Sequence, residues 1–272
     1  MQDGVVIHPS SVVDDGAVLE TGVEIGPFCY IGPATTIGAN TRIISHVSIL
    51  SHTILGRECL VYPNAVVGAS AQHRQPVDGN QGQVVIGNNC TIRECVTIHR
   101  ATGTPEQSTS IGNNCLLMAG SHIAHDCSIG DNVILVNGVA LAGHVTVGHN
   151  TIISGLAGVA QRINIGQCAF IAAGTLVNRD VLPFSLVIGT GARTKGVSVE
   201  GLKRLGWSSE KIRKLLYGMN LFFLGDEDGI STLLKDDEIK DELNAIVSFM
   251  KKSENGVCPA EGLGVGLRVN KI

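Results

Sequence analysis

The stretch IGNNCLLMAGSHIAHDCSIGDNVILVNGVALAGHVTVG, residues 111–148, decides the fold. Stepping by six from Ile111 lands on Leu117, Ile123, Ile129, Leu135, Leu141 and Val147, and every stop is aliphatic. A period of six fits neither an amphipathic helix, which repeats near every 3.6 residues, nor a single strand, which alternates by two. It fits very short strands joined by tight corners, each strand turning one aliphatic side chain inward. Glycine or asparagine then serves where a corner needs positive φ. Three such strands close a coil of about 18 residues, and stacked coils make a parallel β-helix.

Working outward, the same step runs back through Ile7, Val13, Leu19, Ile25, Ile31, Ile37, Ile43, Ile49, Leu55, Val61 and Val67. It resumes at Ile86, Ile92 and Ile98, and beyond the quoted stretch it continues through Ile153, Val159, Ile165, Ile171 and Val177. Glycine follows the stop at Gly26, Gly32, Gly38, Gly56, Gly87, Gly112, Gly130, Gly148 and Gly166, which marks these as corner positions. The expected architecture is mainly β, a hexapeptide-repeat prism over residues 1–190. Polar Gly-, Pro-, Ser- and Thr-rich stretches interrupt the period twice and are expected as extruded loops over 68–85 and 99–110. After Val187 the period ends. The runs SVEGLKRLGW, SSEKIRKLLYGMNLFFL and KDDEIKDELNAIVSFMKK carry apolar residues at helical spacing, so residues 191–255 are expected to form a small α-helical domain. Residues 256–272 have no periodicity and are expected to be a mobile tail.

Composition narrows the function. A net charge of −4 gives no basic stripe for nucleic acid, and no apolar run is long enough to span a bilayer. The eight cysteines contain no C-x-x-C pair, and several share one offset within the repeat, so they read as reduced core residues rather than a disulfide or zinc framework. The start, MQDGVVIHPS, has neither an apolar core nor an Arg-rich leader.

Residues 18 apart should stack about 4.8 Å from one another, the spacing of paired strands. His125, Gly143, Gln161 and Arg179 then share a column, Asp126 stacks on His144, and Asn137, Gly155 and Ala173 form a line of small residues that leaves a shallow groove. These columns are expected to share one neighbourhood. His99, His122, His125 and His144 make a histidine cluster with three readings: metal ligands, a solvated ladder, or a catalytic base. Asp126 can hold an imidazole in one tautomer and raise its basicity, and the Gly143 N–H can meet an oxyanion.

The strings IRECVTIHR, HIAHDC, LAGHVTVG and VEGLKRLG resemble those of the UDP-N-acetylglucosamine acyltransferase family, over nearly the whole chain from Ile7 to the last helix. The resemblance implies a left-handed winding of the prism. It also implies transfer of a 3-hydroxyacyl chain from acyl carrier protein to the sugar 3-hydroxyl of UDP-N-acetylglucosamine, the first step of lipid A synthesis, with no cofactor or metal. By position it makes His125 the general base and Asp126 its orienting partner. His122 and His144 line the sugar and thioester pocket, and His99 lies at the nucleotide end. Gln161 contacts the nucleotide sugar, while Glu200 and Arg204 reach in from the helical segment of a neighbouring subunit of a homotrimer. In the same scheme Asn137, Gly155 and Ala173 are the acyl groove. Ala173 in place of glycine implies a chain somewhat shorter than myristoyl.

Some positions depart from the family pattern. Gln72, His73, Arg74 and Gln75 stand where an Asp and a Lys usually hold sugar and diphosphate, with Arg74 able to supply the charge. Ala160, Ser198 and Leu205 replace a histidine, an asparagine and an arginine. An acidic carrier protein calls for a basic rim, expected from Lys195, Lys203, Arg204, Lys211, Arg213 and Lys214. The departures and the run NQGQVVIGNNCTIRECVTIHRATG are similar to plant organellar versions, which implies a processed mitochondrial chain; a bacterial cytoplasmic enzyme is the alternative. Two other functions stay open at this point, a zinc enzyme of the γ-carbonic-anhydrase type and a catalytically silent trimeric scaffold.

Overall fold

The computed structural model describes residues 4–72 and 82–261. Pairs of residues around each aliphatic stop form strands that stack in three sheets, the faces of a triangular prism, parallel throughout except for the final hairpin of the first face, where Ser185–Ile188 and Arg193–Val197 pair antiparallel. Among the described residues, the first face runs from Val6–Ile7 through eleven strands to Arg193–Val197, the second from Val12–Val13 through nine to Leu176–Val177, and the third from Val18–Leu19 through eight to Asn164–Ile165. The register follows the 18-residue coil, as in Leu117↔Leu135, Leu135↔Ile153 and Ile153↔Ile171. Each stop faces inward, so Ile25, Ile43, Val61, Ile92, Leu117 and Leu135 make one unbroken aliphatic column down the first face. Burying such a side chain contributes about 1.5–3 kcal/mol, and parallel strands this short depend on that burial rather than on their own pairing.

The corners differ from expectation in one respect. Positive φ falls three residues after the stop, at Asn40, Asn114, Asn132, Asn150, Asp126 and His144 among others, and not at the glycines that directly follow it. Those glycines serve close approach: a Cβ on Gly38 would lie 2.5 Å from the backbone of the next coil, and one on Gly112 would lie 2.7 Å from it. The six buried cysteines of the prism corners, Cys29 to Cys168, are free, and most sit two residues before the stop. Cys59, Cys90 and Cys115 each point a thiol at a glycine carbonyl of the next coil, 3.1–3.2 Å away, as Thr41 and Thr151 do with their hydroxyls.

Both interruptions leave the prism between the second and third faces. They are narrower than the intervals 68–85 and 99–110, because Val66–Ala69, Gln83–Ile86, Thr97–His99 and Ser108–Ile111 remain strands, paired to neighbouring coils. Part of the first loop, residues 73–81, lies outside the described residues.

Four helices close the C-terminal end: α1 (Val199–Arg204), α2 (Ser209–Leu224), α3 (Glu227–Leu233) and α4 (Lys240–Lys252). Ser208 caps α2 by accepting from the Lys211 N–H, and Gly225 ends it at φ 70°. Ile212, Leu215 and Met219 of α2 pack with Leu243 and Ile246 of α4 against Leu182 and Phe184, forming a second core. The α3 segment carries no periodic signal long enough to foresee. The mobile tail is corrected at its start. Val257 and Ala260 bridge to Asp180 and Thr194, Cys258 is buried, and Glu261 pairs with Lys195, so backbone pairing holds residues 256–261 to the prism. Residues 262–272 lie outside the described part.

Candidate active site

The corner between the second and third faces gathers the histidines coil by coil. His99 ends one strand, His122 lies in the paired strand of the next coil with His125 and Asp126 at its corner, and Gly143 with His144 follow one coil further. Gln161 comes next and is exposed. The 18-residue step therefore places these groups as the sequence implies.

His125 is only 6% exposed, and its Nδ1 lies 2.7 Å from Oδ2 of Asp126. A carboxylate can only accept, so Nδ1 carries a proton, and in the neutral ring the basic nitrogen is then Nε2. Asp126 takes this position because its backbone is left-handed, φ 61°, with its N–H donating to the Thr109 hydroxyl at 2.8 Å. Its carboxylate also accepts from the Thr102 hydroxyl at 2.7 Å and the Thr102 N–H at 3.1 Å. Burial works to raise the Asp126 carboxyl, but the bonds from His125 and Thr102 outweigh it and hold the group below its ordinary value. The carboxylate is thus ionised, shared between the His125 imidazole and Thr102.

Gly143 makes room for the ring. A Cβ there would lie 2.6 Å from Cε1 and 2.7 Å from Nε2 of His125, so only glycine lets the basic nitrogen lie over this backbone. The Gly143 N–H donates to no acceptor among the described residues, whereas those of Ala142 and His144 are used. His144 stands edge-on to His125, ring centroids 5.2 Å apart, with Nε2 3.6 Å from Oδ2 of Asp126.

His99 and His122 form a second edge-on pair at 5.2 Å. Nδ1 of His99 lies 2.7 Å from the Ser70 carbonyl, which fixes its proton there and leaves Nε2 as an acceptor; Nδ1 of His122 lies 2.8 Å from the Thr97 hydroxyl. Burial lowers the pKa of both, so both are neutral near pH 7. A divalent ion could reach His125, Asp126 and His144, whose ligand atoms lie within 4.8 Å of one another. The Nδ1–H bond from His125 already occupies Oδ2 of Asp126, and Thr102 donates to both carboxylate oxygens, so the carboxylate is engaged as a hydrogen-bond acceptor.

Other expected residues stand apart. Asn137, Gly155 and Ala173 do stack in register, but at the corner between the first and second faces. Residue 137 is twelve positions past 125, two strands onward, which carries it past the third and first faces to another corner. The single neighbourhood expected for both columns is therefore not found within one chain. Glu200 and Arg204 lie on α1, beyond the prism, with Glu200 ion-paired to Lys203 at 3.2 Å; Ser198 is the buried residue before that helix. Gln72 is exposed at the edge of the first loop, and Arg74 lies outside the described residues. The basic rim is largely neutralised: Lys195, Lys203, Lys211 and Lys214 pair with Glu261, Glu200, Glu242 and with Asp236 and Glu238. Sequence reading missed Thr102, Thr109 and Ser70. The loops shift the 18-residue count there, and only the polar character of the loop mouths hinted at them.

Comparison with known proteins settles the family. Residues 180–258 match the family described as Udp N-acetylglucosamine O-acyltransferase, Domain 2, and residues 108–143 the bacterial transferase hexapeptide. The chain is 39% identical over 256 residues to the acyl-[acyl-carrier-protein]–UDP-N-acetylglucosamine O-acyltransferase of Anaeromyxobacter sp., covering 93% of this chain and 99% of that one. The chain belongs to this acyltransferase family. Its left-handed β-helix superposes on the UDP-N-acetylglucosamine acyltransferase of Francisella novicida with a TM-score of 0.81 at 34% identity, over 98% and 99% of the two chains. The Arabidopsis UDP-N-acetylglucosamine acyltransferase gives 0.76 at 32% identity, over 93% and 100%. Against that family background, the histidine corner is the place to look for acyl transfer.

Proposed function

We propose that this chain transfers a 3-hydroxyacyl group from acyl carrier protein to the 3-hydroxyl of UDP-N-acetylglucosamine, the first step of lipid A biosynthesis, with His125 as general base. The observation that carries the base assignment is the Asp126–His125 bond, which turns Nε2 over the bare backbone of Gly143. Nε2 takes the proton of the sugar hydroxyl as its oxygen attacks the thioester carbonyl. Charge develops on the carbonyl oxygen, and the unused Gly143 N–H offers it a hydrogen bond. The C–S bond then breaks, and the proton held on Nε2 passes to the departing thiolate. His122, His144 and His99 line the cleft, with Gln161, Gln72, Arg74, Ser198, Glu200 and Arg204 on the nucleotide sugar.

The homotrimer belongs to this proposal. Within one chain the groove of Asn137, Gly155 and Ala173 and the α1 residues Glu200 and Arg204 stand away from His125, and a second copy laid against the histidine corner would supply them. Sedimentation equilibrium tests this, and a fully active monomer would end it. Mitochondrial residence is proposed on the plant-like sequence run alone. Imaging the full-length gene product in plant cells tests it, and a cytosolic distribution would replace it.

The deciding experiment is acyl transfer to UDP-N-acetylglucosamine from 3-hydroxyacyl donors of graded length, with His125→Ala alongside. Turnover lost in the variant is expected, with a best chain shorter than myristoyl. No turnover at any length by a folded protein would overturn the reading.

A further inference from the structure

We propose that Arg100 is a phosphate-binding residue of the cleft, taking a phosphate that one of the two substrates carries in. The inference rests on the acyl-transfer reading, since both substrates of that reaction bear phosphate: the diphosphate of the nucleotide sugar and the phosphodiester of the carrier's pantetheine arm. The resemblance to the family assigns Arg100 no role.

Arg100 directly follows His99 at the mouth of the second loop. Its backbone N–H donates to the Ala69 carbonyl at 2.8 Å, which fixes it to the base of the first loop. The guanidinium donates from Nη2 to the Ser70 hydroxyl at 3.2 Å, so one residue, Ser70, holds His99 through its carbonyl and Arg100 through its side chain. Nε of Arg100 is buried and has no acceptor among the described residues. Among the described residues no carboxylate pairs with this arginine. The contrast with Arg42 and Arg93 is informative, because Arg42 is exposed where water already serves it and Arg93 is partly exposed, yet both have a glutamate within 3.0 Å. Burial lowers the pKa of Arg100 with nothing offsetting it.

A half-buried guanidinium without a counter-charge costs stability, and that cost is offset only when an anion arrives. Its forked N–H groups match phosphate oxygens, which is why arginine serves this role better than a point charge. Local rules are broken in this way at functional sites, and Arg100 lies one residue from the histidine cluster.

The test compares wild type with Arg100→Met and Arg100→Lys, reading Tm alone, Tm with UDP, Tm with 4′-phosphopantetheine, and KM for each substrate. Removing an unpaired buried charge should raise the ligand-free Tm of Arg100→Met by about 2 °C or more. The same change should abolish the Tm shift given by one phosphate ligand and raise KM for the substrate bearing it about tenfold to a hundredfold, with kcat little changed. Which ligand loses its shift, UDP or 4′-phosphopantetheine, identifies the source of the phosphate. Arg100→Lys should recover part of the loss. A lowered Tm with both KM values unchanged would make Arg100 a prop for Ser70 and overturn the proposal. Ligand shifts equal in wild type and Arg100→Met would overturn it as well. If Arg100→Met loses both Tm and affinity, Arg100→Lys decides, and failure to recover affinity counts against phosphate binding. Wild type that binds both ligands but transfers no acyl group would sink the acyl-transfer reading while leaving the ligand result standing.

Discussion

Two corners of the same prism have the same strand spacing and opposite characters. At the corner between the third and first faces, every coil repeats its predecessor. Gly112, Gly130, Gly148 and Gly166 let the next coil in, Asn88, Asn113 and Asp131 pass side-chain bonds upward, and Cys59, Cys90 and Cys115 point at glycine carbonyls. At the corner between the second and third faces the pattern holds early, where Gly32 follows its stop and faces the Ser51 backbone, and is lost in the coils that carry the histidines. Two loops leave those coils, and in the coil after His125 the glycine, Gly143, stands two residues after the stop instead of one and faces an imidazole instead of backbone. Repetition marks where a repeat protein holds itself together, and departure from its own pattern marks where it acts.

His125→Ala should break the contrast most severely. It removes the base, so turnover should fall by about 10²–10⁴-fold while the urea midpoint barely moves. An equal loss of stability would mean that this corner, too, is structural. Glycine-to-alanine changes then sharpen the comparison. In Gly112→Ala the new Cβ would lie 2.4 Å from Oδ1 of Asp131 and 2.7 Å from its backbone nitrogen, so the coils must part, at a cost of about 1–3 kcal/mol. Activity per folded molecule should survive. Gly143→Ala should do the reverse: the three atoms nearest its Cβ all belong to the His125 ring, and displacing a base by about 1 Å costs up to about a hundredfold in rate. Denaturation and steady-state kinetics on the pair settle it, and matching profiles for the two variants would erase the distinction.

The regular corner was fully legible in the sequence, apart from one assignment. The glycines after each stop announced the corners, but positive φ went to the residue three on, often Asn, Asp, His or Gly, which tolerate the left-handed region, yet also Phe28, Ala34, Leu156 and Arg162, where the coil geometry imposes it. The column rule also placed His125 under Gly143 and Asp126 under His144. It failed at Thr102, because the second loop inserts residues between the stops and no count of 18 reaches across it. It failed too for the groove column, where stacking was right and the corner was wrong, because a column gives height along the prism but not which edge it occupies.

Thr102 offers a smaller test of what the loops add. Thr102→Val keeps shape but removes the hydroxyl that shares Oδ2 of Asp126 with His125, a bond of about 1 kcal/mol, so turnover should fall about fivefold with the chain-length preference unchanged. An unchanged rate would show that His125 alone orders Asp126.

The smallest effect separates the corners by pH. His99 is buried and His122 half-buried, and that burial lowers their folded pKa below the unfolded value of about 6.5. Between those values the unfolded chain binds more protons than the native one, so stability rises with pH through this window and is lost as pH falls below about 6.5. Asp126 and Asp131 act in the opposite range. Their folded pKa values are depressed, so what they contribute is present above the unfolded value of about 3.9 and disappears only as pH falls through the lower folded values. Mild acid should therefore loosen the histidine corner while leaving the regular corner intact. Urea midpoints measured from about pH 7.5 down to about 5 should decline in wild type and flatten in a His99→Gln, His122→Gln double variant. A decline of the same steepness in both would place the titrating groups elsewhere and remove mild acid as a way to tell the two corners apart.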